Sequence, residues 1–93
     1  MNVSKSNYGN YSSSNYGAHS LRVDVGNLTF YFSYDTVIAF RSPETGLIIT
    51  QNNWSTTTGK HLNWINEDKK IRIPYEDFKK KLDEVLTKHN LTL

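Results

Sequence analysis

Leu21-Arg22-Val23-Asp24-Val25-Gly26-Asn27-Leu28-Thr29-Phe30-Tyr31-Phe32 decides the fold. Leu21, Val23 and Val25 alternate with Arg22 and Asp24, the period of two that a half-buried strand requires. Gly26-Asn27 then makes a two-residue turn, because both residues tolerate positive φ. Leu28, Phe30 and Phe32 resume the alternation, with Thr29, Tyr31 and Ser33 opposite. The stretch is therefore a β-hairpin with Leu21, Val23, Val25, Leu28, Phe30 and Phe32 on one face. Such a face needs a cover of its own, since a sheet is stable only when its apolar side is packed.

Downstream, Ser33-Tyr34-Asp35-Thr36 breaks the pattern with a turn or bulge. Val37 to Arg41 is a third strand, apolar enough to be central, and Ser42-Pro43-Glu44-Thr45-Gly46 is a tight turn. Leu47 to Thr50 is a fourth strand antiparallel to the third. Lys60 to Ile65 reads as a fifth, with His61, Asn63 and Ile65 on one side and Leu62 and Trp64 on the other. Ile71 to Ile73 is a sixth, in a hairpin with it across Asn66 to Lys70. Pro74 opens a helix, where its missing N–H costs nothing. Glu76 and Asp77 suit the first turn, Lys88 and His89 the last. Tyr75, Phe78, Leu82, Val85 and Leu86 form its buried stripe, and Asn90 is the expected C-cap. The expected fold is α+β: an antiparallel sheet of five or six strands with one C-terminal helix packed on one face.

Upstream, the chain is Asn, Ser, Tyr and Gly, with an imperfect repeat in Asn7-Tyr8-Gly9 and Asn15-Tyr16-Gly17. Residues 1–12 read as a flexible polar arm, because such composition buries little, and residues 13–93 as one domain. Ninety-three residues hold a single modest core. There is no cysteine, which excludes disulfides, thiolate chemistry and Cys-based zinc sites. The polar N-terminus and the short apolar runs predict a protein without a secretion signal or membrane span, acting in the cytoplasm. The Asn-x-Ser/Thr triplets at Asn2, Asn10, Asn27, Asn53 and Asn90 then reflect composition. A net charge of +2 gives no whole-protein attraction to nucleic acid.

Large and hydrogen-bonding side chains concentrate between Asn52 and Trp64. Gly59-Lys60 in a Thr-rich stretch suggests a phosphate loop, but Ser stands at 55 and His at 61, where that motif needs Gly and Ser or Thr. His19, His61 and His89 lack metal-ligand spacing, so no metal or cofactor is expected. Ser20 or Ser33 with His61 and Asp35 makes a triad on paper, yet nothing marks a nucleophile elbow. Trp54 reads as exposed and Trp64 as core. Tyr34, Asp35, Arg41, Trp54, Thr57, Thr58, Lys60 and His61 remain as a candidate partner-binding surface, with Tyr34 and Trp54 as anchors. The same aromatics beside Lys60 and Arg41 would also suit single-stranded nucleic acid, the alternative reading. A free sheet edge would allow a homodimer.

Phe32-Ser33-Tyr34-Asp35-Thr36-Val37-Ile38-Ala39-Phe40, then Thr57-Thr58-Gly59-Lys60-His61-Leu62-Asn63, resembles a family of small uncharacterised proteins of bacteriophages and other mobile elements. Asn15 to Ser20 resembles the opening of the same family. The resemblance runs from Tyr11 to Leu86 and transfers no catalytic role. It implies a phage-encoded accessory protein acting inside a bacterium, with a host protein as partner. Small phage proteins without a catalytic motif often act by occupying a host protein, anti-CRISPR proteins being one such class. Inhibition of bacterial defence is carried by that analogy alone. The expected function is a non-enzymatic protein-binding module.

Overall fold

The computed structural model describes residues 3–8 and 20–92. Along these residues run β1 (Val3–Asn7), β2 (Leu21–Val25), β3 (Leu28–Ser33), β4 (Thr36–Ser42), β5 (Gly46–Thr50), α1 (Thr56–Ile65), β6 (Arg72–Ile73) and α2 (Tyr75–Lys88). The strands form one sheet in chain order. All neighbours are antiparallel except β5 and β6, which are parallel. The decisive hairpin pairs Val23 with Phe30 and Val25 with Leu28, around Gly26 at φ +59°. Part of the expected flexible arm, Val3–Asn7, pairs with β2 as an edge strand. Tyr8 follows that strand, its N–H donating to Ser20 O at 3.1 Å, whereas residues 1–2 and 9–12, together with Tyr16 and His19, lie outside the described residues.

The last helix does what its stripe requires. Phe78, Leu82 and Val85 are buried against Leu28, Phe30, Val37 and Phe40, with Val25, Phe32, Ile48 and Leu86 at the margins. Asn90 sits at φ +55°, the Leu91 N–H donates to Leu86 O and the Asn90 N–H donates to Thr87 O. This is a Schellman ending, which satisfies the orphan carbonyls of the last turn.

Two expectations are corrected. Residues 60–65 are not a fifth strand but the second half of α1, and β6 pairs with β5 rather than with that segment. The two corrections share a cause. Neighbouring parallel strands cannot be joined by a hairpin, so the chain must cross back over the sheet, and α1 is part of that crossover. Consequently the sheet carries two helices, not one. Ile48 packs on the α2 side, whereas its neighbour Ile49 joins Ile38, Ala39 and Leu62 in a second buried cluster on the other side.

A β-bulge serves both layers. Tyr31 faces Ala39 and Phe32 faces Val37, leaving Ile38 as an extra residue in β4. Ile38 and Ala39 therefore both join the α1 side, while Val37 and Phe40 stay with α2. No helix among the described residues is long and apolar enough to cross a membrane.

Candidate functional site

The start of α1 is built from short polar side chains. The Asn52 Oδ1 accepts from the Trp54 N–H at 2.9 Å and its Nδ2 donates to Ser55 O at 3.0 Å. Ser55 caps the helix, its hydroxyl accepting from the Thr58 N–H at 3.4 Å. Gly59 belongs to this arrangement, since a Cβ there would come 3.1 Å from Asn52 Nδ2. Gly59-Lys60 thus lies inside a helix, where no phosphate-cradling loop exists. Asn52 and Ser55 together fix the stretch that carries Trp54, which is 42% exposed and meets Tyr75 edge-on at 5.1 Å.

Opposite stands the β3–β4 turn, Tyr34-Asp35, between the paired residues Ser33 and Thr36. Tyr34 has φ +57°, a left-handed conformation that costs a bulky residue about 1 kcal/mol or more. Its ring is nonetheless 49% exposed and lies 6.1 Å from that of His61. Between turn and helix lies a cleft of about 160 Å³, lined by Ser33, Tyr34, Asp35, Thr36, Ile38, Trp54 and Thr58. An open groove of about 540 Å³ adjoins it, sharing Asp35 and Thr36 and continuing along Tyr75, Leu82 and Leu86.

Beneath the cleft, polar groups are buried and paired. His61 is fully buried, with its Nδ1 2.6 Å from Ser33 Oγ, which is itself 3.0 Å from Thr58 Oγ1. Thr58, Ser33 and His61 thus form one buried hydrogen-bonded chain. The rings of Tyr8 and Trp64 flank His61 at 6.2 and 5.4 Å. Tyr8 also donates its hydroxyl to Phe32 O at 2.7 Å, and burial, aided by Tyr31, pushes its phenol well above the usual range. Trp64 is half-buried rather than core.

The triad drawn from sequence is assembled only in part. Ser33 does meet His61, but the residue is 3% exposed and its hydroxyl is shared with Thr58. Asp35 accepts from the Thr36 hydroxyl at 3.4 Å, while the other candidate serine, Ser20, donates to Asn7 Oδ1 at 2.6 Å.

Of the expected binding residues, the fold brings Tyr34, Asp35, Trp54 and Thr58 to one cleft, with His61 under its floor. Thr57 is half-buried and Lys60 exposed, both on α1 rather than in a loop. Arg41 does not join them. It pairs opposite Thr29 and Leu47, five residues beyond Thr36 and about 16 Å away at about 3.3 Å per residue. Sequence reasoning missed Thr36, Ile38 and the wall residue Tyr75. It also missed Asn52 and Ser55, although Asn-x-Trp-Ser is a readable side-chain turn running into a cap.

Fold and cleft define a small α+β domain with a helix on each face of its sheet and an open region beside the β3–β4 turn. The chain belongs to a family of unknown function, DUF8033, which matches residues 1–80, from before β1 into the first turns of α2. No curated protein and no solved structure matches it significantly.

Proposed function

We propose that the protein is a non-enzymatic module that binds a partner protein through the Tyr34–Trp54 cleft and the groove beside it. The observation that carries this reading is that two exposed aromatic residues, Tyr34 and Trp54, line one cleft from segments held by a turn and by side-chain hydrogen bonds. Large aromatic side chains around a small pocket are the usual anchors of protein interfaces. The two-residue turn sets the left-handed backbone at Tyr34 and leaves about half of that residue exposed at the cleft. The groove supplies further apolar surface, needed because a stable interface buries about 800 Å² per partner.

The nucleic-acid alternative has less support. Its stacking platform is poor in cations, since the charged side chain lining the cleft is Asp35, the adjoining groove sets Lys79 beside Asp83, and Arg41 is remote. The wider setting we propose rests on the resemblance described above, not on the fold. In it a phage-encoded accessory protein occupies a host protein in the bacterial cytoplasm, a defence complex being the intended target.

Affinity capture from bacterial lysate, with and without nuclease, tests the reading. A host protein retained after nuclease by the wild type and lost with Trp54→Ala is the expected result. Capture that vanishes with nuclease, or that is unchanged in folded Trp54→Ala, would overturn it.

A further inference from the structure

The cleft also says what kind of group it accepts, an inference that rests on its being the binding site. We infer that it receives an arginine side chain of the partner. Trp54 and Tyr34 line the cleft, together with the hydroxyl-bearing Ser33, Thr36 and Thr58, Ile38 and the carboxylate of Asp35. Asp35 is the one charged side chain among these lining residues. Aromatic faces attract cations, and they do so most strongly at Trp. The carboxylate adds a full opposite charge, so an anionic guest is repelled. A purely apolar guest would strip water from Asp35 without replacing it, which is costly for a carboxylate.

Size narrows the choice. A space of about 160 Å³ suits the end of one long side chain, and the rest of a bound segment would lie in the groove that adjoins it. Between the two cationic side chains, the shape of the donors decides. A guanidinium is flat, so it can lie against one ring while its five N–H groups spread. The carboxylate of Asp35 takes a pair of them, and the Ser33, Thr36 and Thr58 oxygens retain lone pairs for others. A lysine ammonium concentrates its charge at one point and uses the aromatic wall and the scattered hydroxyls less well.

The test is a two-dimensional NMR titration of the whole chain with N-acetyl-arginine amide, N-acetyl-lysine amide and the neutral isostere N-acetyl-citrulline amide. The expected result is a saturable shift of the Trp54 indole N–H with the arginine compound. Citrulline should bind at least about tenfold more weakly, with lysine between the two. Asp35→Asn, in an exposed turn, should remove most of the preference for arginine over citrulline, and added salt should weaken binding. No saturable shift, equal binding of citrulline or of lysine, or an unchanged preference in Asp35→Asn would each overturn the assignment. The capture experiment separates the two levels. A partner kept by Asp35→Asn but lost by Trp54→Ala overturns the arginine assignment and leaves the cleft as the interface. A partner kept by Trp54→Ala overturns both.

Discussion

The two faces of the sheet are built by different rules. The α2 face is Phe and aliphatic residues packed on a helix with a regular stripe, and Phe30, Phe40 and Phe78 there are fully buried. On the α1 face a small cluster of Ile38, Ala39, Ile49 and Leu62 adjoins a buried histidine, a serine and a threonine. The same sheet supports both because alternation sends neighbouring residues to opposite sides and one bulge corrects the count. The difference teaches a division of labour: α2 contributes most of the stability, and the α1 side holds polar groups in place at the edge of a cleft.

The largest effect should come from the apolar face. Phe78→Ala should cost about 3–5 kcal/mol in denaturant unfolding, a large share of a small domain's stability. A loss under 1 kcal/mol would break the comparison at its firmer side. On the other face, Ser33→Ala leaves a buried imidazole nitrogen without its partner and should cost about 1–3 kcal/mol. That substitution also sharpens the chemical question, since the network is structural in this account and a serine-directed fluorophosphonate should not label the wild type.

At the cleft mouth, function and stability should separate. Tyr34→Gly relieves the left-handed strain and deletes the ring, so stability should stay within about 1 kcal/mol while partner capture is lost. Were stability to fall by several kcal/mol instead, the ring would be a packing element and the division of labour would fail there.

The smallest effect is electrostatic and belongs to the α2 side. Glu44, in the β4–β5 turn, meets His89 at 2.9 Å and Lys88 at 3.2 Å at the end of α2. Its own backbone hydrogen bond, then His89 and Lys88, hold its carboxyl down from the ordinary 4.5 to about 2. A depressed carboxylate stabilises the fold above its unfolded value, and that contribution fades as pH falls from about 4.5 to about 2. Glu44→Gln should therefore match the wild type near pH 2 and be slightly less stable near neutrality, read as thermal midpoints across that range.

How much of this was legible in sequence follows the same division. The β2–β3 hairpin and α2 announce themselves because their apolar residues repeat at one clean period, and β4 and β5 because each is a short apolar run bounded by turn residues. The start of α1 does not. Thr56, Thr57, Thr58 and Gly59 are poor helix formers, and alternation from His61 to Ile65 imitates a strand. The helical signal was present in Thr58, His61, Leu62 and Ile65, spaced three and four apart, behind the Ser55 cap. It was outweighed because two of those four are polar. The two-residue β6 carries too little pattern to show that it runs parallel to β5. At the site, Tyr34, Asp35 and Trp54 were legible as exposed aromatics and a turn. That Thr58 joins them and Arg41 does not depends on α1 and on strand length, and so could not be read before the fold was known.

The central claim is that partner recognition sits beside the β3–β4 turn, at the cleft and the groove that adjoins it. Hydrogen exchange of the isotopically unlabelled chain, alone and bound to its captured partner, tests it most directly. The account predicts new protection at residues 34–36 and 52–58, with β1 and the Arg41 end of β4 unchanged. Protection confined to Val3–Asn7 would mean recognition by edge-strand pairing and would contradict it.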